Sequence, residues 1–188
     1  GGITNIVQPL DLDQGAGLIN ASAAFDQLAA GKQAPTITGH GPVGSMVEVK
    51  GWDFGAVSLS LTNIYRVKVA AAGELRLTLD WYRDVDSDPA YTILGLGNLD
   101  LYLWSSPDSL FTNLTLVARS ISTNDNLEHL YFTSLPTAYY QLGVYYSNYF
   151  VASGPPLGSL NYGLAWSLQA VPEPSLFGLC VLGAVVAA

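Results

Sequence analysis

The sequence predicts a mainly β protein: an antiparallel β-sandwich of about eight short strands, jelly-roll-like, with a short helix before it and an apolar helix after it. Three observations predict this. From Ser45 to Gln169 apolar residues recur with a period of two, the spacing that places alternate side chains on one face of a strand. Turn-forming clusters punctuate that stretch at short intervals, among them Ala72-Gly73, Asp88-Pro89, Asn124-Asp125-Asn126 and Gly154-Pro155-Pro156. No run of helical length interrupts it, which argues for antiparallel sheets over a parallel α/β sheet.

Taken in order, the first element is a helix centred in Gly15–Gly31. Leu18, Ala21, Phe25 and Leu28 recur at helical spacing, Asn20 can cap the start, and Gly31 can end it. At about ten residues it is marginal alone in water and needs something to pack on. The Pro- and Gly-rich residues 35–44 have the composition of a linker. Within the sandwich zone Tyr65, Val67 and Val69 alternate with Arg66 and Lys68. Leu75, Leu77, Leu79 and Trp81 alternate with charged and polar neighbours, and Leu99, Leu101 and Leu103 with Asp100 and Tyr102. Further strands are expected at 115–121, 127–133, 139–146 and 162–168. Tyr139 and Tyr145 fall on one face of their strand and Tyr140 and Tyr146 on the other, so at least one pair belongs to the core. The chain closes on Leu176–Ala188, thirteen residues without a charge, set off by Pro172 and Pro174. As a helix that run would extend about 20 Å, short of the ~30 Å hydrocarbon core of a bilayer. The domain reading is 1–34, terminal piece of an upstream domain; 35–44, linker; 45–170, sandwich; and 171–188, sorting or membrane segment.

Composition narrows the function. Of 188 residues 49% are hydrophobic and 12% charged, enough apolar material for a core. Seven Lys and Arg against fifteen Asp and Glu give a net charge of −8, with no basic stripe to displace the counterions of a nucleic acid. The single cysteine, Cys180, excludes a disulfide within the chain. Starting at Gly1-Gly2-Ile3 with no signal-like segment, the chain reads as part of a longer polypeptide.

Asp84, Asp86 and Asp88 form a D-x-D-x-D loop near Asp80, oxygen-rich chemistry that suits Ca²⁺, although Ala90 and Leu96 stand where an EF-hand requires Gly and Glu. Ca²⁺ is thus the one cofactor the sequence suggests, against a plain solvated acidic turn. Glu128 and His129 are neighbours in a strand and point to opposite faces, which favours structural roles over a cooperating pair. Asp125, between two asparagines, reads as turn chemistry.

Three resemblances add to this. Val171-Pro172-Glu173-Pro174-Ser175 followed by an apolar run is similar to the PEP-CTERM sorting signal of exported bacterial proteins. That implies Pro172, Glu173 and Pro174 as the signal, an exosortase-type sorting enzyme as partner, transient membrane anchoring and a cell-surface or extracellular destination. The basic cluster that closes such signals is missing here. Asp13-Gln14-Gly15-Ala16-Gly17-Leu18-Ile19-Asn20-Ala21 resembles the segment that opens the last helix of subtilisin-like serine proteases, which implies a catalytic body upstream. Leu99-Asp-Leu-Tyr-Leu-Trp104, Ala118-Arg-Ser-Ile-Ser-Thr-Asn-Asp-Asn-Leu-Glu-His-Leu-Tyr131 and Tyr139-Tyr-Gln-Leu-Gly-Val-Tyr145 resemble the pre-peptidase C-terminal modules of secreted bacterial peptidases. His40 and His129, the two histidines, have no Ser and Asp arrangement around them in the sequence, so no catalytic residue is assigned. The expectation is a non-catalytic accessory and sorting region of an exported subtilisin-like serine endopeptidase. The alternative is a non-enzymatic exported surface or matrix protein with a ligand-binding sandwich.

Overall fold

The computed structural model describes residues 3–9, 18, 20–85, 93–151 and 157–170. Pro172, Glu173, Pro174, Asp86, Asp88 and the expected C-terminal helix lie outside the described residues.

Two sheets face each other. The larger contains β1 (Thr4–Ile6), β2 (Ile37–Thr38), β3 (Gly41–Pro42), β5 (Thr62–Val69), β7 (Asp84–Val85), β8 (Ile93–Ser106), β9 (Thr115–Ser120) and β11 (Ala138–Val151). Its order is β1-β9-β8-β11-β5-β2-β3, with β7 also paired to β8. The smaller contains β4 (Lys50–Ser58), β6 (Gly73–Trp81), β10 (Leu127–Leu135) and β12 (Ser159–Ala170), in the order β10-β6-β12-β4. All described pairings are antiparallel except β1 on β9 and two isolated bridges.

The core lies between the sheets where alternation puts it. Tyr65, Val67, Leu99, Leu101, Leu103, Leu142 and Val144 close it from the larger sheet, and Leu75, Leu77, Leu79, Leu130, Leu164 and Trp166 from the smaller. Tyr140 and Tyr146 are the inward pair of the tyrosine cluster, and Tyr139 and Tyr145 face outward. A register shift between Tyr146 and Asn148 lets Tyr149 also turn inward, the expected effect of one extra residue in a strand.

The longest strand that the period-two pattern does not show is β4. Its inward positions carry Gly51, Asp53 and Val57. Gly51 leaves room for two side chains: a methyl group there would collide with the Gln33 amide nitrogen and stand 2.9 Å from Cζ2 of the Trp166 indole. Asp53 is buried because Tyr65 donates to its Oδ2 at 2.6 Å, while Lys32 approaches Oδ1 at 3.7 Å from the rim.

The N-terminal segments are sewn to this sandwich. β1 runs parallel to β9, and Ile121 N donates to Ile6 O at 2.8 Å. Residues 35–44, with linker composition, supply β2 and β3, a short ribbon on the edge of β5. Thr36 fixes that edge: its N donates to Ile64 O at 2.7 Å, its Oγ1 accepts from Arg66 N at 3.0 Å, and Oγ1 donates to Ser45 O. The Gln33 amide spans another gap, donating to Lys50 O and accepting from Glu48 N.

Candidate functional sites

The helix predicted near the N-terminus is α1 (Ala21–Ala29). Asn20 is its N-cap, accepting from Ala23 N at 3.0 Å, which pairs one of the orphan amides of the first turn. Gly31 follows with φ of +91°, a left-handed conformation that glycine adopts without penalty and that ends the helix. The cap and the stop stand where the sequence puts them, but the packing differs from expectation. The apolar stripe does not meet the sandwich: Phe25 is 70% and Leu28 63% exposed, and no residue of α1 is buried. What attaches α1 is polar. Gln27 Nε2 donates to Gly51 O and to Trp166 O, and Trp52 Nε1 donates to Leu28 O at 3.1 Å. The sheet rim offers carbonyl oxygens rather than an apolar hollow, so the helix docks through its glutamine and turns its hydrophobic side to solvent.

Glu128 and His129 separate as strand geometry requires. Glu128 points into the sandwich and is completely buried. It accepts from Ser120 Oγ and, at 2.5 Å, from Ser122 N. Ser122 Oγ in turn donates to Asp125 Oδ2 at 2.9 Å and accepts from Asn124 N and Asp125 N, so Asp125 is turn chemistry. Burial pushes the Glu128 carboxyl up to about 8, against the two hydrogen bonds that favour its charged form. His129 faces the other way, its Nδ1 2.9 Å from Thr78 Oγ1, and burial followed by the nearby Arg76 lowers its pKa. His40 lies exposed in the turn between β2 and β3. Among the described residues neither histidine stands in a nucleophile–base–carboxylate chain; Glu128 serves a turn, and His129 a threonine.

The outer face of the larger sheet carries a second set. Tyr102 and Trp104 stack with ring centroids 5.1 Å apart and planes 11° from parallel, and Tyr145 meets Tyr102 edge-on at 6.4 Å. Beside them Asp100 is 6% exposed, accepting from Asn98 Nδ2 at 3.2 Å and Tyr102 Oη at 3.4 Å. Burial outweighs these bonds and moves its carboxyl up to about 6. Phe111, with φ of +56°, folds over one end of this face under Arg66, whose guanidinium carbon lies 4.3 Å from the ring centroid. The register of β8 against β11 gathers Tyr102, Trp104 and Tyr145, while Phe111 reaches Tyr139 edge-on at 5.9 Å from the loop after β8; sequence reasoning gave neither Trp104 nor Phe111 a place on this face.

Of the D-x-D-x-D loop only the backbone of Asp84 is described, paired with Gly95. Among the described residues no group of three His, Cys, Asp or Glu side chains could hold a metal ion. Among the same residues no helix is long and apolar enough to cross a membrane.

No protein-family model matches the chain. No curated protein matches it either. Solved structures do, at low similarity. The pre-peptidase C-terminal domain of collagenase from Bacillus anthracis is 17% identical with a TM-score of 0.43, over 65% of this chain and 93% of that one. The Yersinia pseudotuberculosis-derived mitogen is 13% identical with a TM-score of 0.38, over 67% and 91%. The Aeromonas hydrophila periplasmic inhibitor of g-type lysozyme is 14% identical with a TM-score of 0.37, over 66% and 96%.

Proposed function

We propose that this chain is the C-terminal accessory and sorting region of an exported subtilisin-like serine endopeptidase, non-catalytic by itself. The observation that carries the reading is the state of α1. The segment Gly17-Leu18-Ile19-Asn20-Ala21, which resembles the opening of the last subtilase helix, leads into a helix capped by Asn20, whose Phe25 and Leu28 stand in solvent. A helix that is polar toward its own domain and apolar away from it suits a piece whose other side is covered by a preceding body. In this reading β1, α1 and the stitches at Gln33 and Thr36 hold the sandwich firmly against that body. Pro172, Glu173 and Pro174 present the C-terminal segment to an exosortase-type enzyme and, transiently, to the membrane. Peptide-bond hydrolysis belongs to a Ser-His-Asp triad ahead of residue 1.

The coding sequence upstream of Gly1 tests this directly: a subtilase body ending at Gly15–Ala30 is expected, and a signal peptide within about thirty residues, a typical signal length, favours the alternative surface protein instead. Casein hydrolysis by the purified chain would also sink the reading. Ca²⁺ at Asp84, Asp86 and Asp88 is part of the proposal; a melting temperature unmoved by millimolar calcium removes it.

A further inference from the structure

The outer face of the smaller sheet is not flat. Along the middle of its inner strand β12 the consecutive outward residues Gly163, Ala165 and Ser167 are all small. Their cross-strand neighbours are larger on both sides. Phe54 and Asp80 flank Gly163, Trp52 and Thr78 flank Ala165, and Lys50 and Arg76 flank Ser167. Small residues between two tall rows make a trough along the strand. Three cavities of about 280, 480 and 210 Å³ lie in it end to end. The first and second share Thr78 and Ala165, and the second and third share Phe54, Asp80 and Gly163. From Asn161 to Ser167 the trough runs for about 20 Å, at ~3.3 Å per strand residue.

Its walls are chemically specific. Trp52 is held in place by its Nε1 bond to Leu28 O, and Phe54 stands 53% exposed in mid-strand, with no sheet over it among the described residues. Gly163 is needed so that the Asp80 carboxylate can lean over β12, since a methyl group there would collide with Oδ1. At the α1 end the Ser167 hydroxyl lines the first cavity, shut off from bulk solvent and paired with no described group. The charges oppose one another along the trough, Lys50 and Arg76 at one end and Asp80 further on, and Arg76 is already bonded to Glu74 at 2.6 Å. No single sign dominates, which suits a neutral occupant.

The floor decides between two extended occupants. β12 is hydrogen-bonded to β4 on one side and to β6 on the other, so it offers no free backbone edge. A peptide lying there could not add itself as a strand, and its own amides would have side chains alone to pair with. A sugar chain has no such need: its ring faces stack on aromatic side chains, and its hydroxyls both donate to Asp80 and accept from Lys50 and Asn161.

We infer that the trough along Gly163, Ala165 and Ser167, walled by Trp52 and Phe54, is a binding cleft for a neutral oligosaccharide. The site is independent of whether a peptidase body precedes the chain. It is tested with the full 188-residue chain against cello-, xylo-, laminari- and chito-hexaose by isothermal titration calorimetry. At least one of these sugars is expected to bind. Phe54→Ala, at an exposed position that leaves the fold intact by circular dichroism, and Trp52→Ala are each expected to weaken that binding tenfold or more. Trp104→Ala, on the opposite sheet, is expected to change it less than twofold. No binding of any of the four at millimolar concentration overturns the proposal, as does binding that Phe54→Ala leaves unchanged. Phe54-dependent binding of a casein-derived peptide in place of the sugars overturns it too.

Discussion

Tyr65 of the larger sheet donates its phenolic proton to Asp53 of the smaller one at 2.6 Å, inside the core. The same oxygen lies 2.6 Å from Tyr162 Oη, which accepts from Asn63 Nδ2 at 2.8 Å. Four buried polar side chains thus form one network across the gap, which Ser120 and Glu128 bridge at a second polar point. Burial, then the charges of Tyr162 and Asp53, hold the Tyr65 phenol far above its usual pKa, so it stays a donor. Tyr65→Phe removes that donor and leaves a buried carboxylate oxygen and a buried hydroxyl short of a partner, at a cost of about 1–3 kcal/mol. In urea the midpoint should fall with an unchanged slope. An unaltered midpoint would mean that the network contributes nothing net.

Glu128 gives the fold a pH dependence of unusual sign. Because burial raises its folded pKa to about 8 from 4.5, the folded state binds more protons than the unfolded chain between those values. Stability from this group is therefore full below about pH 4.5 and lost as pH rises toward 8, at most about 1.4 kcal/mol per pH unit. Glu128→Gln keeps an amide whose oxygen can accept from Ser122 N and whose NH2 can donate to Ser120 Oγ, and should flatten the slope of melting temperature against pH in that window. Equal slopes in the two proteins would contradict the assignment.

These two sites show where the sequence is informative and where it is silent. β6 is legible because its inward positions are apolar on their own account: Leu75, Leu77 and Leu79 need no partner to declare their side, and β5 reads the same way from Tyr65 to Val69, past the polar Asn63. β4 is not legible, because Gly51 and Asp53 make sense inside only once Trp166 and Tyr65 are across from them, more than a hundred residues and a dozen residues away. Alternation separates Glu128 from His129 but cannot bury Glu128, since Ser120 and Ser122 belong to another strand and its turn. The two ends of α1 are written in Asn20 and Gly31. Its docking side is not, because the stripe rule assumes that a helix docks by hydrophobic contact, and Gln27 does the docking here. The trough on β12 was equally hidden: its small residues acquire meaning only through the register with β4 and β6.

The outward stripe of α1 makes a clean prediction. Phe25→Ser and Leu28→Ser should leave the stability of this chain within about 0.5 kcal/mol of the parent, as surface changes do. Gln27→Ala, although it alters a polar residue, should loosen the helix. Losing its bonds to Gly51 O and Trp166 O should speed amide exchange across Ala21–Ala29 by about fivefold or more, the equivalent of about 1 kcal/mol, while exchange in β5 and β6 stays as it was. If the serine variants unfold the protein and the alanine variant does not, the stripe faces inward after all.

Gly143 poses the sharpest packing test. It sits in the middle of β11 with Tyr102 opposite, and a methyl group there would stand 2.5 Å from Cζ3 and 3.0 Å from Cη2 of Trp104. Glycine weakens a strand interior, so its presence is explained by the indole lying across it. Gly143→Ala should therefore break the stack of Trp104 on Tyr102, destabilise by about 1–3 kcal/mol as overpacking does, and shift the part of the tryptophan emission that Trp104→Ala removes. In the Trp104→Ala background the obstacle is gone and the same substitution should be neutral or stabilising by up to about 1 kcal/mol, because alanine gives up less chain entropy on folding than glycine. The coupling between the two changes is the measurement: an additive pair, with Gly143→Ala equally harmful in both backgrounds, would mean that something other than the indole keeps a side chain out of that position.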